Sequence, residues 1–117
     1  MKTLAEIESI IYQNKQNLSD RFKVNQIGIF GSYARGDQTT ESDVDILVDF
    51  AEIPGLEFVN LAMLLERLIG EKVDLVSRGA IKPDRWKYIE ENIIYVPNEQ
   101  IEPKGSDQNS NQYQKST

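Results

Sequence analysis

The chain has 117 residues, of which 39% are hydrophobic and 27% charged, and its formal net charge is −6. This length is typical of one soluble domain with a buried core, and no apolar run approaches the roughly 18 residues of a membrane span. The chain has neither cysteine nor histidine, which excludes disulfides, thiolate or imidazole metal sites and Ser-His-Asp catalysis. The absence of cysteine and of a signal-peptide layout predicts a cytoplasmic protein. The acidic balance argues against a broad nucleic-acid surface.

The hydrophobic pattern predicts helix, strand, strand, helix, strand, helix and then either a brief final strand or an extended stretch. Residues 3–22 read as one amphipathic helix that opens with a Thr3/Glu6 capping box. The later elements are predicted as strands at 26–32 and 43–50, a helix at 54–70, a strand at 71–77, a helix at 82–92 and a short strand at 93–97. This order indicates a small α/β or α+β domain, with one mixed sheet flanked by helices.

Side-chain spacing also predicts which helix residues are buried. In the helix at 54–70, the predicted core residues are Leu56, Val59, Met63 and Leu64. In the helix at 82–92, those predicted to pack on the sheet are Trp86, Tyr88 and Ile89. The domain is predicted to span residues 1–97, and the polar, aperiodic residues 98–117 to form a disordered tail.

Two aspartates stand at the head of the second predicted strand. Side chains two residues apart in a strand share a face, about 6.5 Å apart along the chain, so Asp43 and Asp45 project side by side. Taken alone, this pair is typical of a turn cap and a solvated edge charge. Asp74, on the next predicted strand, can lie beside them and complete a carboxylate set suited to Mg²⁺.

The first strand ends in a Gly-Ser pair. Gly31 permits close backbone approach, and Ser32 offers an N–H and a hydroxyl to a phosphate. If a short helix begins here, its N-terminus also favours anionic phosphates. Alone, Gly-Ser after a strand is an ordinary turn. Its fixed distance from the aspartate pair is what favours a phosphate site.

These two features together resemble a known signature. Gly31 and Ser32, then ten residues (Tyr33 to Ser42), then Asp43-Val44-Asp45, match the GSx10DxD motif of the DNA polymerase β-like nucleotidyltransferase superfamily. The "GSYARG" and "SDVDILV" segments resemble its minimal nucleotidyltransferase branch, and most closely the MntA-type antitoxins encoded beside HEPN-domain toxins. The resemblance covers roughly residues 1–97.

The resemblance implies a fold, an activity and a role for each motif residue. Asp43 and Asp45 would bind two Mg²⁺ ions, and Asp74 would bind the catalytic ion and help to activate the attacking hydroxyl. Gly31 and Ser32 would hold the phosphates of ATP. The implied function is that of a type VII-like antitoxin, which transfers AMP to a tyrosine of a HEPN RNase toxin, releases pyrophosphate and silences the toxin. The two proteins would form a hetero-oligomer.

Other polar residues near the motif have two interpretations each. Arg35 can reach a triphosphate or form a surface ion pair with Asp37 or Glu41, and Ser42 can contact the nucleotide or cap the turn before the strand. A basic cluster follows the third strand and can face solvent, nucleotide or partner: Arg78, Lys82, Arg85 and Lys87.

The small size predicts that the acceptor is presented by another macromolecule or by another copy of the chain. The acidic charge predicts no direct nucleic-acid binding, and the lack of a long apolar run predicts no membrane binding. The sequence leaves open a non-catalytic antitoxin that masks its toxin. It also leaves open nucleotidyl transfer to a small molecule, which the size disfavours.

Overall fold

The computed structural model describes residues 1–96 and confirms one mixed sheet flanked by helices. In chain order the elements are α1 (Leu4–Gln13), α2 (Lys15–Phe22), β1 (Val24–Phe30), α3 (Gly31–Arg35), β2 (Val44–Phe50), α4 (Glu57–Ile69), β3 (Val73–Ser77), a 3-10 turn (Arg78–Ala80), α5 (Pro83–Asn92) and β4 (Ile94–Val96). Within this range, no helix is long and apolar enough to cross a membrane. The tail predicted at 98–117 lies outside the described residues.

The four strands are arranged in the order β3-β2-β1-β4. β1 pairs antiparallel with both β2 and β4, whereas β2 and β3 are parallel. The parallel pair is joined through α4, as such a crossover requires. The end of β1 and the starts of β2 and β3 therefore lie at one end of the sheet.

Both faces of the sheet are covered. Alternate residues of a strand point to opposite faces, and β2 is apolar on both, because Ile46 belongs to one buried cluster and Leu47 to the other. Helices α1, α2 and α4 cover the first face with these buried side chains: Ile7, Ile11, Leu18, Phe22, Leu61, Leu65 and Ile69. Helix α5 covers the second face, where Ile89 packs with Phe30 and Leu47.

Several predicted helix ends are confirmed. The Thr3 hydroxyl accepts from the Glu6 N–H at 3.1 Å, and the Glu6 carboxylate accepts from the Thr3 N–H at 2.8 Å, which completes the capping box. Gly70 ends α4 with φ of 76°, a left-handed conformation that glycine adopts without strain. Pro83 occupies the first turn of α5.

The single helix predicted at 3–22 is wrong, because the chain forms two helices separated at Asn14. The Asn14 side-chain amide donates to the Ile10 carbonyl at 2.7 Å. The Asn14 backbone N–H bonds to Ile11 in the tighter i−3 pattern. This competition between side chain and helix backbone breaks the run.

The predicted core face of α4 is also wrong. Leu56 is 88% exposed, and Val59 and Met63 are each 57% exposed, whereas Leu61 and Leu65 are fully buried. Leu64 packs against the core but is only partly buried. Leu61, Leu65 and Ile69 follow one another at four-residue spacing and form the buried stripe. Helical spacing therefore marks the face that meets the sheet, but the prediction selected a second apolar row that faces away from the core.

In α5, Trp86 and Ile89 pack on the sheet as predicted. The prediction for Tyr88 is wrong, because this side chain is 76% exposed. Tyr88 directly precedes Ile89, and neighbouring residues of a helix point in different directions.

Candidate active site

The carboxylates of the sequence motif meet at one end of the sheet. Asp45 and Asp74 are register partners on the parallel strands β2 and β3, and side chains of directly paired residues project to the same face. The Val44 N–H donates to the Lys72 carbonyl at 2.8 Å, which extends this pairing to the very start of both strands. Asp43 lies immediately before β2. All three aspartates are thus held by strand starts that adjoin each other.

Burial and neighbouring negative charge both disfavour ionisation of Asp45 at this edge. Burial and, after it, the neighbouring carboxylates of Asp74 and Asp43 together raise the pKa of Asp45 to about 6, while the Arg85 guanidinium opposes the shift. The Asp45 side chain is half-buried, whereas Asp74 is exposed. An ionised Asp45 is therefore stabilised by any cation that binds between these groups.

Gly31 is fixed by its contact with Asp45. Its φ of 72° is a conformation that L side chains rarely adopt, and a Cβ built on it would collide with the Asp45 carboxylate. The Cβ would also lie 3.0 Å from Asp45 Cγ. The first residue of the Gly-Ser pair is therefore glycine because the backbone passes directly against the carboxylate of β2.

Helix α3 places Ser32 beside this contact. Tyr33 is 1% exposed and joins the core cluster, so it anchors the short helix. The N–H groups of Gly36 and Asp37 donate to the Ser32 carbonyl at 2.8 and 3.1 Å and close the helix. The Ser32 side chain is only partly buried, which leaves it available to a ligand.

Arg35 and Ser42 form local contacts, at the end of α3 and in the segment between α3 and β2. Arg35 Nε lies 3.2 Å from Asp37 Oδ2, and both side chains are exposed, so the predicted ion-pair alternative is the one observed. Ser42 Oγ accepts from the Thr39 N–H at 3.0 Å, and the Ser42 N–H donates to the Thr39 carbonyl at 3.0 Å. Ser42 therefore stabilises the turn that leads into β2.

Two arginines of the basic cluster after β3, Arg78 and Arg85, have different surroundings. The Arg78 guanidinium lies 3.8 Å from the centroid of the Trp86 ring in a cation–π contact. Arg85 is exposed, yet its charge acts on Asp45. The sequence shows four cations close together without indicating which of them faces the carboxylates, because that depends on the rotation of α5.

The carboxylate oxygens at this edge suit a hard divalent cation that is also coordinated by the substrate. Within residues 1–96 no three carboxylates stand close enough together to form a ready-made metal cage. Mg²⁺ is commonly held by one or two carboxylates and completes its shell with water and substrate phosphates. Asp45 and Asp74 supply such a pair, with Asp43 next to it. These residues therefore fit an open site and not a closed structural one.

Comparison with known proteins identifies the family. A family model described as "Nucleotidyltransferase domain" matches residues 11–96. The chain belongs to this family. The nucleotidyltransferase is 50% identical over 97 residues to the protein adenylyltransferase MntA of Thermococcus cleftensis, and the match covers 82% of this chain and 98% of that protein. It is thus an enzyme of the minimal, MntA-like branch.

Solved structures confirm the fold of this nucleotidyltransferase. A minimal nucleotidyltransferase aligns with a TM-score of 0.64 at 31% identity, over 80% of this chain and 95% of that one. A toxin–antitoxin structure with AMP-PNP aligns with a TM-score of 0.63 at 28% identity, over 75% of this chain and 70% of that one. The predicted polymerase β-like fold is therefore confirmed.

Proposed function

We propose that this nucleotidyltransferase is a Mg²⁺-dependent protein adenylyltransferase and the antitoxin of a HEPN RNase toxin. It would transfer AMP from ATP to a tyrosine hydroxyl of that toxin and silence it. The observation that carries the proposal is the register pairing of Asp45 with Asp74, with Gly31 packed directly against Asp45. This contact supports the proposal because it brings the Gly-Ser turn, the proposed phosphate site, against the carboxylates.

In the proposed reaction, the acceptor oxygen forms a bond to the α-phosphorus of ATP. The bond from that phosphorus to the bridging oxygen breaks, and its electron pair leaves with pyrophosphate. Asp74 accepts the hydroxyl proton, while the backbone and hydroxyl of Ser32 hold phosphate oxygens. Two Mg²⁺ ions bound through Asp43, Asp45 and Asp74 would supply charge stabilisation for the entering and leaving oxygens.

The openness of the edge supports a macromolecular acceptor. Asp74 is exposed, and Asp43 and Asp45 are only partly buried. Small-molecule sites are usually concave and enclose most of their ligand. The described residues are occupied by the sheet and its covering helices, so a second protein would supply the remaining wall of the site together with the hydroxyl. The relatives named as a protein adenylyltransferase and as a toxin–antitoxin structure support the same assignment.

The test uses two forms of labelled ATP with the product of the adjacent toxin gene. Label in the α-phosphate should be incorporated into the toxin, and label in the γ-phosphate should be released as pyrophosphate. Asp45→Asn should reduce incorporation by at least roughly a hundredfold, because it removes a metal-binding charge. Asp49→Asn is the matched control, since Asp49 lies four residues further along β2, and it should retain incorporation.

Incorporation of γ-label would indicate phosphorylation and would contradict nucleotidyl transfer. Undiminished incorporation by folded Asp45→Asn would remove the carboxylate mechanism. If neither label is incorporated by folded wild-type protein in the presence of Mg²⁺, the proposed reaction is wrong.

A further inference from the structure

Arg85 lies on the side of α5 that packs against the sheet. Residues four apart on a helix share a face, so Arg85 lies on the same face as Ile89, and Ile93 follows directly after the helix. Both isoleucines pack in the second buried cluster, Ile89 as a buried member and Ile93 against it. Arg85 thus occupies a position where the helix elsewhere presents apolar side chains to the sheet.

The sheet presents carboxylates on this same face. Asp45 precedes Leu47 by two residues on β2, so both side chains project toward α5. Leu47 and Phe30, the register partner of Asp45, pack with Ile89 of the helix. The helix therefore passes beside Asp45, and the charge of Arg85 also acts on this carboxylate. The cation is therefore set over the edge that carries Asp45 and its partner Asp74.

The neighbouring arginines are already engaged. Arg35 is paired with Asp37, and Arg78 is stacked on Trp86. Among residues 1–96, Arg85 has no ion pair within 4.0 Å and no side-chain hydrogen bond. It is therefore a guanidinium that lies beside an anionic edge and has no ion-pair or hydrogen-bond partner among the described residues.

We propose that Arg85 binds the β- and γ-phosphates of the nucleotide, an inference that rests on the proposed function. Without nucleotide, Arg85 partly balances the charge of the carboxylates. When divalent cations neutralise those carboxylates, the guanidinium faces the phosphate oxygens, which it can bind in a bidentate manner. Charge builds on the pyrophosphate as its bond to the α-phosphorus breaks, and a fixed cation stabilises that charge.

The test compares the affinities for Mg·ATP and for Mn²⁺, because loss of a phosphate-binding arginine should weaken only the first. In Arg85→Gln, the Kd for Mg·ATP should rise roughly tenfold to a hundredfold, since a charge-assisted contact is lost. The Kd for Mn²⁺ in the nucleotide-free protein should stay the same or fall, because a competing positive charge is gone. Calorimetry gives the first value, and electron paramagnetic resonance of free Mn²⁺ gives the second.

Two further variants serve as controls. Arg85→Lys should recover part of the Mg·ATP affinity, since it keeps the charge but not the bidentate geometry. Lys87→Gln removes an exposed cation from the same helix, two positions on and about 200° around the axis. It should bind both ligands as wild type does.

Each other outcome overturns the inference. Unchanged Mg·ATP affinity in Arg85→Gln would show that Arg85 does not touch the phosphates, and the proposed function would stand. If Arg85→Gln binds both Mg·ATP and Mn²⁺ more weakly than wild type does, Arg85 has only a structural role. A wild-type protein that binds Mn²⁺ but not Mg·ATP would contradict the proposed function, and this inference with it.

Discussion

Asp45 combines partial burial with negative neighbours, so its ionisation is unfavourable in the absence of a bound cation. Its folded pKa is about 6, against an ordinary value of 3.8. The folded state therefore holds the proton more tightly than the unfolded state does. Stability from this group is present below about pH 4 and is lost as the pH rises to about 6.

We therefore expect the metal-free protein to lose unfolding free energy relative to Asp45→Asn between pH 4.5 and 7.5. The expected loss is about 1–2 kcal/mol, which allows for screening of a half-exposed group. Urea unfolding in the presence of a chelator measures it at the two pH values. Subtracting the unfolding free energy of Asp45→Asn from that of wild type cancels the contributions of the other titrating groups. If this difference does not change with pH, the pKa assigned to Asp45 is wrong.

Gly31 allows a separate test of the contact between the turn and the carboxylate. Gly31→Ala should cost about 1–2 kcal/mol for its left-handed backbone, and it should also displace Asp45 and abolish AMP transfer. Gly36 is the matched control, because its φ is 86° and a Cβ there would meet nothing within 4 Å. Gly36→Ala should lose similar stability but keep activity. Equal activity in the two variants would show that the contact has no catalytic importance.

At the scale of the elements, local signals were enough to place most helix and strand ends. The capping box at Thr3, the C-terminal glycine of α4 and the first-turn proline of α5 act through neighbouring backbone groups. The division of the helix at Asn14 arises because the Asn14 side chain donates to the Ile10 carbonyl and not to solvent. The buried side of α4 is marked by Leu61, Leu65 and Ile69 at four-residue spacing, but Val59 and Met63 form a second, exposed apolar row that the spacing does not distinguish from it.

The rotation of α4 gives a direct prediction for stability. Leu65→Ala should cost about 2–5 kcal/mol, because this side chain is fully buried in the core. Met63→Ala should cost less than about 0.5 kcal/mol, since Met63 is 57% exposed. Chemical denaturation of the two variants measures both effects. Equal losses would contradict the face assigned to the sheet.

At the scale of the whole molecule, the motif residues were identifiable because their chemistry depends on spacing along the chain. The Gly-Ser turn and the aspartate pair lie within one stretch of fifteen residues, from Gly31 to Asp45. Asp74 on β3 could be predicted as their neighbour once β2 and β3 were expected to pair. Arg85 was not distinguishable from the other cations, because its position over the edge follows from the packing of α5.

The proposed function requires that this open carboxylate edge silences the toxin by covalent transfer of AMP. The decisive measurement is the RNase activity of the toxin after incubation with the nucleotidyltransferase and Mg·ATP, followed by complete removal of the nucleotidyltransferase. We predict that the toxin stays inactive, and that toxin incubated with Asp45→Asn regains full activity. Recovery of the RNase after removal of the wild-type protein would show that the antitoxin only masks its partner.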